Sequence, residues 1–212
     1  MTLDRRSLTL ALISSAFAGP ALAQAGLSPA DRALVDRAAA YLQGLTEAKA
    51  RFVQTDARGR SVGGNVFLKR PGKARFDYDD PSGLLVVSDG GVVSVQDTRL
   101  KTFDRYPLSA TPLSVFLAKN IRLDKGVTVT RVARQADGFS ITARDGGKRT
   151  AGQITLNFRE APQLALTGWT IVDAQNRQTR VQLQNLQKVA GLDGSLFVLK
   201  DPRPKNVGRG KV

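Results

Sequence analysis

The chain has 212 residues, a formal net charge of +14 at pH 7, and neither cysteine nor histidine. This length suits a single domain with a sizeable core. The missing residue types exclude disulfides, Ser–His and Cys–His nucleophiles and the common zinc ligands, and no pair of carboxylates has the context of an acid–base site. We therefore expect a protein that is not an enzyme and that holds neither a metal nor a cofactor.

The basic charge has two interpretations. Lysines and arginines attract anionic lipid headgroups or an acidic partner, or they form a solvated exterior without a specific role. They are scattered along the chain, and neither zinc-finger spacing nor an RNA-binding aromatic motif occurs. Nucleic acid is therefore not an expected partner.

The first residues have the pattern of a secretory signal. Arg5 and Arg6 precede an apolar run over residues 8–18, and the small-x-small sequence Ala21-Leu22-Ala23 follows. This pattern predicts a signal peptide over residues 1–23 with cleavage before Gln24, because the apolar run is too short to span a bilayer. The arginine pair also resembles a twin-arginine export signal, although ordinary Sec export is the simpler expectation. A single mature domain over residues 24–212 is expected, without a cysteine for lipid modification.

The mature chain should begin with one amphipathic helix. Ser28 can cap it, Pro29 suits its first position, and Asp31 completes a pattern like a capping box. Apolar residues then recur at helical spacing, at Leu34, Ala38, Leu42 and Leu45. The helix is therefore expected to lie with this face on another element.

From about Lys49 onward, apolar and polar residues alternate, which is typical of strands with one dry and one wet face. Turn sequences such as Pro71-Gly72 and Asp137-Gly138 favour short antiparallel connections. About ten strands in one curled sheet are predicted. A short apolar helix is expected over residues 111–120, and the two helices would cover the concave face.

Several motifs follow one another in a specific order: Phe52-x-Gln54, Leu68-Lys69-Arg70-Pro71-Gly72-Lys73-x-Arg75-Phe76-x-Tyr78, Val87-Ser88-Asp89-Gly90, Thr111-Pro112-Leu113 and Asp173-Ala174-Gln175-Asn176-Arg177-Gln178-Thr179. The ordered set covers nearly all of the mature chain. It resembles the outer-membrane lipoprotein carrier (LolA) family.

The resemblance implies a mainly β fold with helices: an incomplete, half-open antiparallel β-barrel of about ten to eleven strands, with an α-helical lid over a hydrophobic cavity. It implies a monomeric carrier in the periplasm. Such a carrier accepts triacylated lipoproteins that an inner-membrane ABC transporter releases, and delivers them to the outer membrane, in many bacteria through a receptor lipoprotein. The alternative is a LolA-like carrier or sensor of another lipid or glycolipid.

Arg70 matches the family's arginine that fastens the lid through hydrogen bonds to helix carbonyls. Its position agrees with this role, because Arg70 shares a strand face with Val66 and Leu68, and a guanidinium offers five donors. The alternative is an ordinary arginine at a strand end that points to solvent. The residues expected to line the acyl-chain cavity are Val66, Leu68, Phe76, Tyr78, Leu113, Phe116, Leu117, Phe139, Ile141, Ile154 and Leu156.

Overall fold

The computed structural model describes residues 26–111, 113–121, 123, 127–145 and 152–203, so the predicted signal peptide and Pro112 lie outside the described residues. The described elements are α1 (Pro29–Gln43), β1 (Glu47–Thr55), β2 (Ser61–Lys69), β3 (Lys73–Tyr78), β4 (Leu84–Asp89), β5 (Val92–Asp97), β6 (Thr102–Pro107), α2 (Leu113–Leu117), β7 (Val127–Gln135), β8 (Gly138–Asp145), β9 (Gly152–Arg159), β10 (Ala165–Asp173) and β11 (Gln178–Lys188), with short 3-10 helices at Leu108–Ala110 and Gly194–Phe197. Within these ranges, none of the helices has the length and apolar character that crossing a membrane requires.

All eleven strands form one sheet in the order β6-β5-β4-β3-β2-β1-β11-β10-β9-β8-β7. Neighbouring strands are antiparallel. The chain adds strands outward from β1 to β6, passes to the opposite edge at β7, and returns until β11 pairs with β1. β6 and β7 are the two edges, so the sheet is not closed. This confirms the predicted half-open antiparallel barrel.

Helix α1 begins as its sequence predicts. The Ser28 side chain accepts a hydrogen bond from the backbone N–H of Asp31, at 3.1 Å, and Pro29 occupies the first turn. The reciprocal half of the capping box differs, because the Asp31 carboxylate accepts from the Ser28 hydroxyl, at 2.7 Å. The buried residues Leu34, Val35, Ala38 and Leu42 form one face of the helix.

The core lies on the concave side of the sheet, where aromatic rings from distant strands meet. Phe52 on β1 contacts Tyr78 and Phe76 on β3, with ring centroids 5.0 Å and 5.6 Å apart. Trp169 on β10 lies 6.2 Å from Phe76 and 5.8 Å from Phe116 on α2. This aromatic group joins the two halves of the sheet to the second helix.

A β-bulge places Trp169 inside. Leu166 pairs with Phe158, and Gly168 then pairs with Asn157, so β10 has one extra residue between these pairs. Leu166 and Trp169 are both buried although they are three residues apart. Because a bulge shifts the alternation by one residue, the period-two pattern did not identify Trp169 as a core residue.

The convex side is not uniformly wet, which corrects the expectation of one dry and one wet face for every strand. Val87 pairs with Arg75 and lies on the convex side with it, yet Val87 is only 1% exposed. The segment after β11 crosses this side: Lys69 Nζ donates to the Leu192 carbonyl at 2.7 Å, and the Arg75 guanidinium donates to the Leu196 carbonyl at 3.2 Å. Phe197 is buried in this second cover, which sequence alternation within the strands cannot reveal.

A substitution at Gly64 would test how closely the concave face is packed. A Cβ atom at Gly64 would lie 2.6 Å from the Phe52 ring and closer still to the Asp77 carbonyl oxygen. We expect Gly64→Ala to lower the free energy of unfolding by about 1–3 kcal/mol, measured by chemical denaturation, because ring and backbone would both have to move.

Gly63→Ala is the matched control, because a Cβ there closely approaches side-chain ends and not a ring: the Asp79 carboxylate at 2.7 Å and the Arg51 guanidinium at 3.2 Å. These two groups form an exposed ion pair, which can shift into solvent. Equal losses in both variants would contradict the specific packing of Phe52 over Gly64.

Candidate functional site

The structure brings the eleven predicted cavity residues into one apolar cluster. Nine of them are buried: Val66, Leu68, Phe76, Phe116, Leu117, Phe139, Ile141, Ile154 and Leu156. Leu113 and Tyr78 are partly buried and pack against the same cluster. A side chain that lined a water-accessible cavity would keep exposed area, whereas these nine are at most 7% exposed. Among the described residues, this part of the concave face is therefore covered by side chains of the sheet and of both helices.

Arg70 lies where the helices meet the sheet. It follows the last residue of β2, and its backbone N–H donates to the Thr46 carbonyl at 2.8 Å. Its guanidinium donates from Nη1 to the Leu42 carbonyl of α1 and from Nη2 to the Ala118 carbonyl just after α2, the latter at 2.7 Å. The Nη2 atom also lies 3.5 Å from the Lys119 carbonyl oxygen. One side chain thus joins the sheet to both helix ends.

The charge of Arg70 is balanced by dipoles. The ion pairs between described residues do not include Arg70. The Nε atom is buried without a hydrogen-bond partner among the described residues. Burial lowers the pKa of Arg70 from its usual value. Carbonyls at the C-terminal ends of helices carry partial negative charge and stabilise a cation. The guanidinium is therefore held by neutral acceptors that water could replace.

Three successive carbonyls at the end of α2, those of residues 117–119, are engaged from outside the helix. The Leu117 carbonyl accepts from the Gly72 N–H at 2.8 Å, and the Lys119 carbonyl accepts from Gln43 Nε2 at 3.2 Å. Together with the bond from Arg70 to Ala118, these contacts satisfy carbonyls at the end of α2, which ends at Leu117 and not near residue 120 as the sequence suggested. We call α1, α2 and residues 118–121 the lid.

Gly72 is required for this approach of the turn to the lid. It has a φ of +75°, and a Cβ there would lie 2.6 Å from the Gly90 Cα. The hydroxyl of buried Ser88 donates to its carbonyl at 2.6 Å. The turn after Arg70 is therefore held by the Leu117 carbonyl of the lid and by the Ser88 hydroxyl of β4.

The family follows from the sequence comparison. The sequence profile described as "Outer membrane lipoprotein carrier protein LolA" matches residues 43–200. The chain belongs to the LolA family. This is a family of carrier proteins and not of enzymes.

Two relatives carry the name outer-membrane lipoprotein carrier protein. The relative from Chromobacterium violaceum is 25% identical over an alignment of 211 positions that covers 96% of each chain. The relative from Methylococcus capsulatus is 27% identical over 192 residues, covering 86% of this chain and 91% of the relative. Among solved structures, the LolA superfamily protein from Nitrosomonas europaea aligns with 78% of this chain and 98% of its own, at 10% identity and a TM-score of 0.46.

Tyr78 is the partly polar member of the concave cluster. Its hydroxyl donates to Gln54 Oε1 at 2.8 Å. Burial raises the pKa of Tyr78 to about 12. A deprotonated Tyr78 would place a negative charge beside the buried ring of Phe52. The packed concave face therefore requires the neutral phenol.

We expect this phenol to make stability depend on pH at alkaline values. Between the usual pKa of 10.0 and about 12, the unfolded chain loses the Tyr78 proton while the folded protein keeps it. The contribution of Tyr78 is therefore intact below pH 10.0 and is lost as pH rises toward 12. Denaturant unfolding over this range should show a smaller fall for Tyr78→Phe than for the wild type. Parallel curves for both proteins would contradict the buried phenol.

Proposed function

We propose that this protein is a periplasmic carrier of lipoproteins, which holds their acyl chains against its concave face beneath the lid. The observation that carries this role is the position of Arg70. In a chain of the LolA family, its guanidinium fastens both lid helices over a face made almost wholly of apolar side chains.

The physics of acyl chains explains the need for such a face. Each methylene transferred to water costs about 0.8 kcal/mol, so a chain of roughly fifteen methylenes costs on the order of 12 kcal/mol to expose. Three chains multiply this cost, and desorption from a membrane without help becomes negligibly slow. A protein with a dry concave face replaces the bilayer while the cargo crosses water.

The lid must open for this purpose, because the apolar cluster is closed by its own side chains. Phe116 and Leu117 of the lid are 2% and 1% exposed, and Phe116 packs on Trp169. In the proposed mechanism, acyl chains take over the contacts of these lid residues with the sheet. Arg70 releases the helix carbonyls, and water then solvates both the guanidinium and the carbonyls.

The proposed route begins at the inner membrane, where an ABC transporter releases triacylated lipoproteins to the carrier. It ends at the outer membrane, at a receptor lipoprotein where one is present. The names of the relatives from Chromobacterium violaceum and Methylococcus capsulatus support lipoproteins as the cargo and the outer membrane as its destination. The pattern of residues 1–23 supports export to the periplasm.

The first test of this function is acyl binding. We expect the mature protein to bind a fluorescent fatty-acyl probe saturably, with about one site per chain, and a triacylated lipopeptide to displace it. Trp169 is the only tryptophan of the chain and contacts the lid, so its emission should change on loading.

The same lipopeptide without its acyl chains is the control and should displace nothing. Folded protein that binds no probe would count against the carrier function. Mass spectrometry of the molecules that remain bound to the protein after purification from periplasmic extract distinguishes lipoproteins from another lipid or glycolipid.

The second test concerns Arg70. Closure competes with cargo, because the apparent affinity equals the intrinsic affinity reduced by the fraction of open protein. Arg70→Leu removes charge-assisted hydrogen bonds worth about 1.5–3 kcal/mol each and adds apolar area. We expect this variant to accept cargo but to release it slower by on the order of tenfold or more, measured by paired loading and transfer assays.

Arg180→Leu, on the exposed convex face, makes the same chemical change away from the lid and should load and release like the wild type. Loss of both loading and transfer in Arg70→Leu would indicate a folding defect. Equal transfer by Arg70→Leu and the wild type would refute the role of Arg70 in the lid.

A further inference from the structure

We propose that Gln43 joins the two lid helices into one body, so that α1 and α2 leave the sheet together. Gln43 is the last residue of α1. Its Nε2 donates to the Lys119 carbonyl at 3.2 Å, and its Oε1 accepts from the Ile121 N–H at 2.9 Å. The role of Gln43 in the proposed carrier is that of a positioning residue.

The chemistry of the side chain suits this contact. A primary amide offers a donor and an acceptor side by side, as a peptide group does. Gln43 therefore pairs with residues 119 and 121 as a neighbouring strand would, although it belongs to a helix. The sequence separation is 76 residues to Lys119 and 78 to Ile121, so the contact holds two distant parts of the chain together.

The hydrogen bonds at the two helix ends divide into two sets. Apart from these, α1 forms exposed ion pairs with the sheet side, from Arg37 to Glu160 after β9 at 2.7 Å and from Asp31 to Arg134 on β7 at 3.7 Å. Gly72 and Arg70 hold the lid to the turn between β2 and β3, through the carbonyls of residues 117 and 118 and through Leu42. Gln43 joins one part of the lid to the other. Separation of the lid from the sheet breaks the first set and leaves the second intact.

Joined movement has a direct consequence for loading. The apolar faces of both helices pack into the same cluster, with Leu42 from α1 and Phe116 from α2. If α2 moved alone, the buried face of α1 would still cover part of the sheet. When both move together, release at Arg70 and Gly72, with loss of the exposed ion pairs of α1, uncovers the concave face in one step.

The chain is well suited to a direct test because it contains no cysteine. Spin labels on introduced cysteines at Arg32 on α1, Asn120 after α2 and Gln182 on β11, all exposed positions, give three pairwise distance distributions. The pair 32–120 reports within the lid. The pairs 32–182 and 120–182 report between the lid and the sheet.

In empty protein with Arg70→Leu, we expect both lid-to-sheet distributions to shift to longer distances while 32–120 keeps its wild-type width. Adding Gln43→Ala should broaden 32–120 as well, because two neutral hydrogen bonds favour the joined state by on the order of tenfold. Gln187→Ala, an exposed glutamine on β11, is the matched control and should leave 32–120 unchanged.

Gln43→Glu separates pairing from helix stability. Glutamate has a helix propensity close to that of glutamine, keeps the acceptor for Ile121 and loses the donor to Lys119. Broadening of 32–120 in this variant, with circular dichroism unchanged, supports a role through the amide pair. A carboxylate at the C-terminal end of a helix opposes the helix dipole, so circular dichroism must first show that α1 keeps its helicity. With helicity kept, a merely structural role at the end of α1 predicts an unchanged 32–120 distribution.

The inference fails if 32–120 broadens already in Arg70→Leu with Gln43 intact, or stays narrow when Gln43→Ala is added. If Arg70→Leu leaves the lid-to-sheet distances unchanged, the three pairs are measured again after loading with the acyl probe. A lid that opens neither in the empty variant nor after loading also overturns the inference. The value of joined lid movement for loading rests on the proposed carrier function. Its main readout is made on empty protein, so a failure of acyl binding is distinguishable from a failure of the helix coupling.

Discussion

An open sheet with an apolar concave face must be covered, and most features of this protein follow from that constraint. β6 and β7 are sheet edges that do not pair with each other, so the strands alone cannot enclose the interior. Helices α1 and α2 provide the cover, and their apolar residues complete a cluster that already contains side chains from both halves of the sheet. Burial of this face drives the lid to close, and the same apolar area can accept a hydrocarbon ligand.

The polar contacts of the lid make its closure specific without making it permanent. Apolar packing has little directional preference, whereas the bonds from Arg70 and Gly72 define where the helix ends lie. Among the described residues, Arg70 faces carbonyls and not a carboxylate, so an opening movement leaves no unpaired buried anion of this part of the chain behind. Water can solvate the guanidinium and the carbonyls separately. Such contacts suit a lid that closes over the empty concave face and opens for cargo.

The end of β2 serves both faces of the sheet. Lys69 points to the convex side, where it donates to the Leu192 carbonyl and forms a 3.0 Å ion pair with Glu47. Arg70 is the next residue and points to the lid. Adjacent residues at a strand end thus hold the C-terminal segment on one side and the helices on the other, because successive side chains alternate between the faces.

Local rules in the sequence predicted much of this structure. The Ser28 cap and Pro29 determine the start of α1, and alternation places Val66, Leu68 and Phe76 on the buried face. These features depend on neighbouring residues and on the fixed period of a strand, so they can be read along the chain. The same parity placed Arg70 on the side of the lid, although only the resemblance to a family indicated helix carbonyls as its partners.

The tertiary structure alone decided three further features. Pairing with β9 creates the bulge that turns Trp169 inward, the segment after β11 buries Val87 on the convex side, and Gln43 meets Lys119 across the lid. Each depends on residues that are distant in the sequence and that meet only when the sheet has formed. Periodicity in the sequence describes which face of one strand or helix prefers burial. Strand register, the burial of one element by another and the choice of hydrogen-bond partner are properties of two elements together, so the energy that selects them arises only when both are in place.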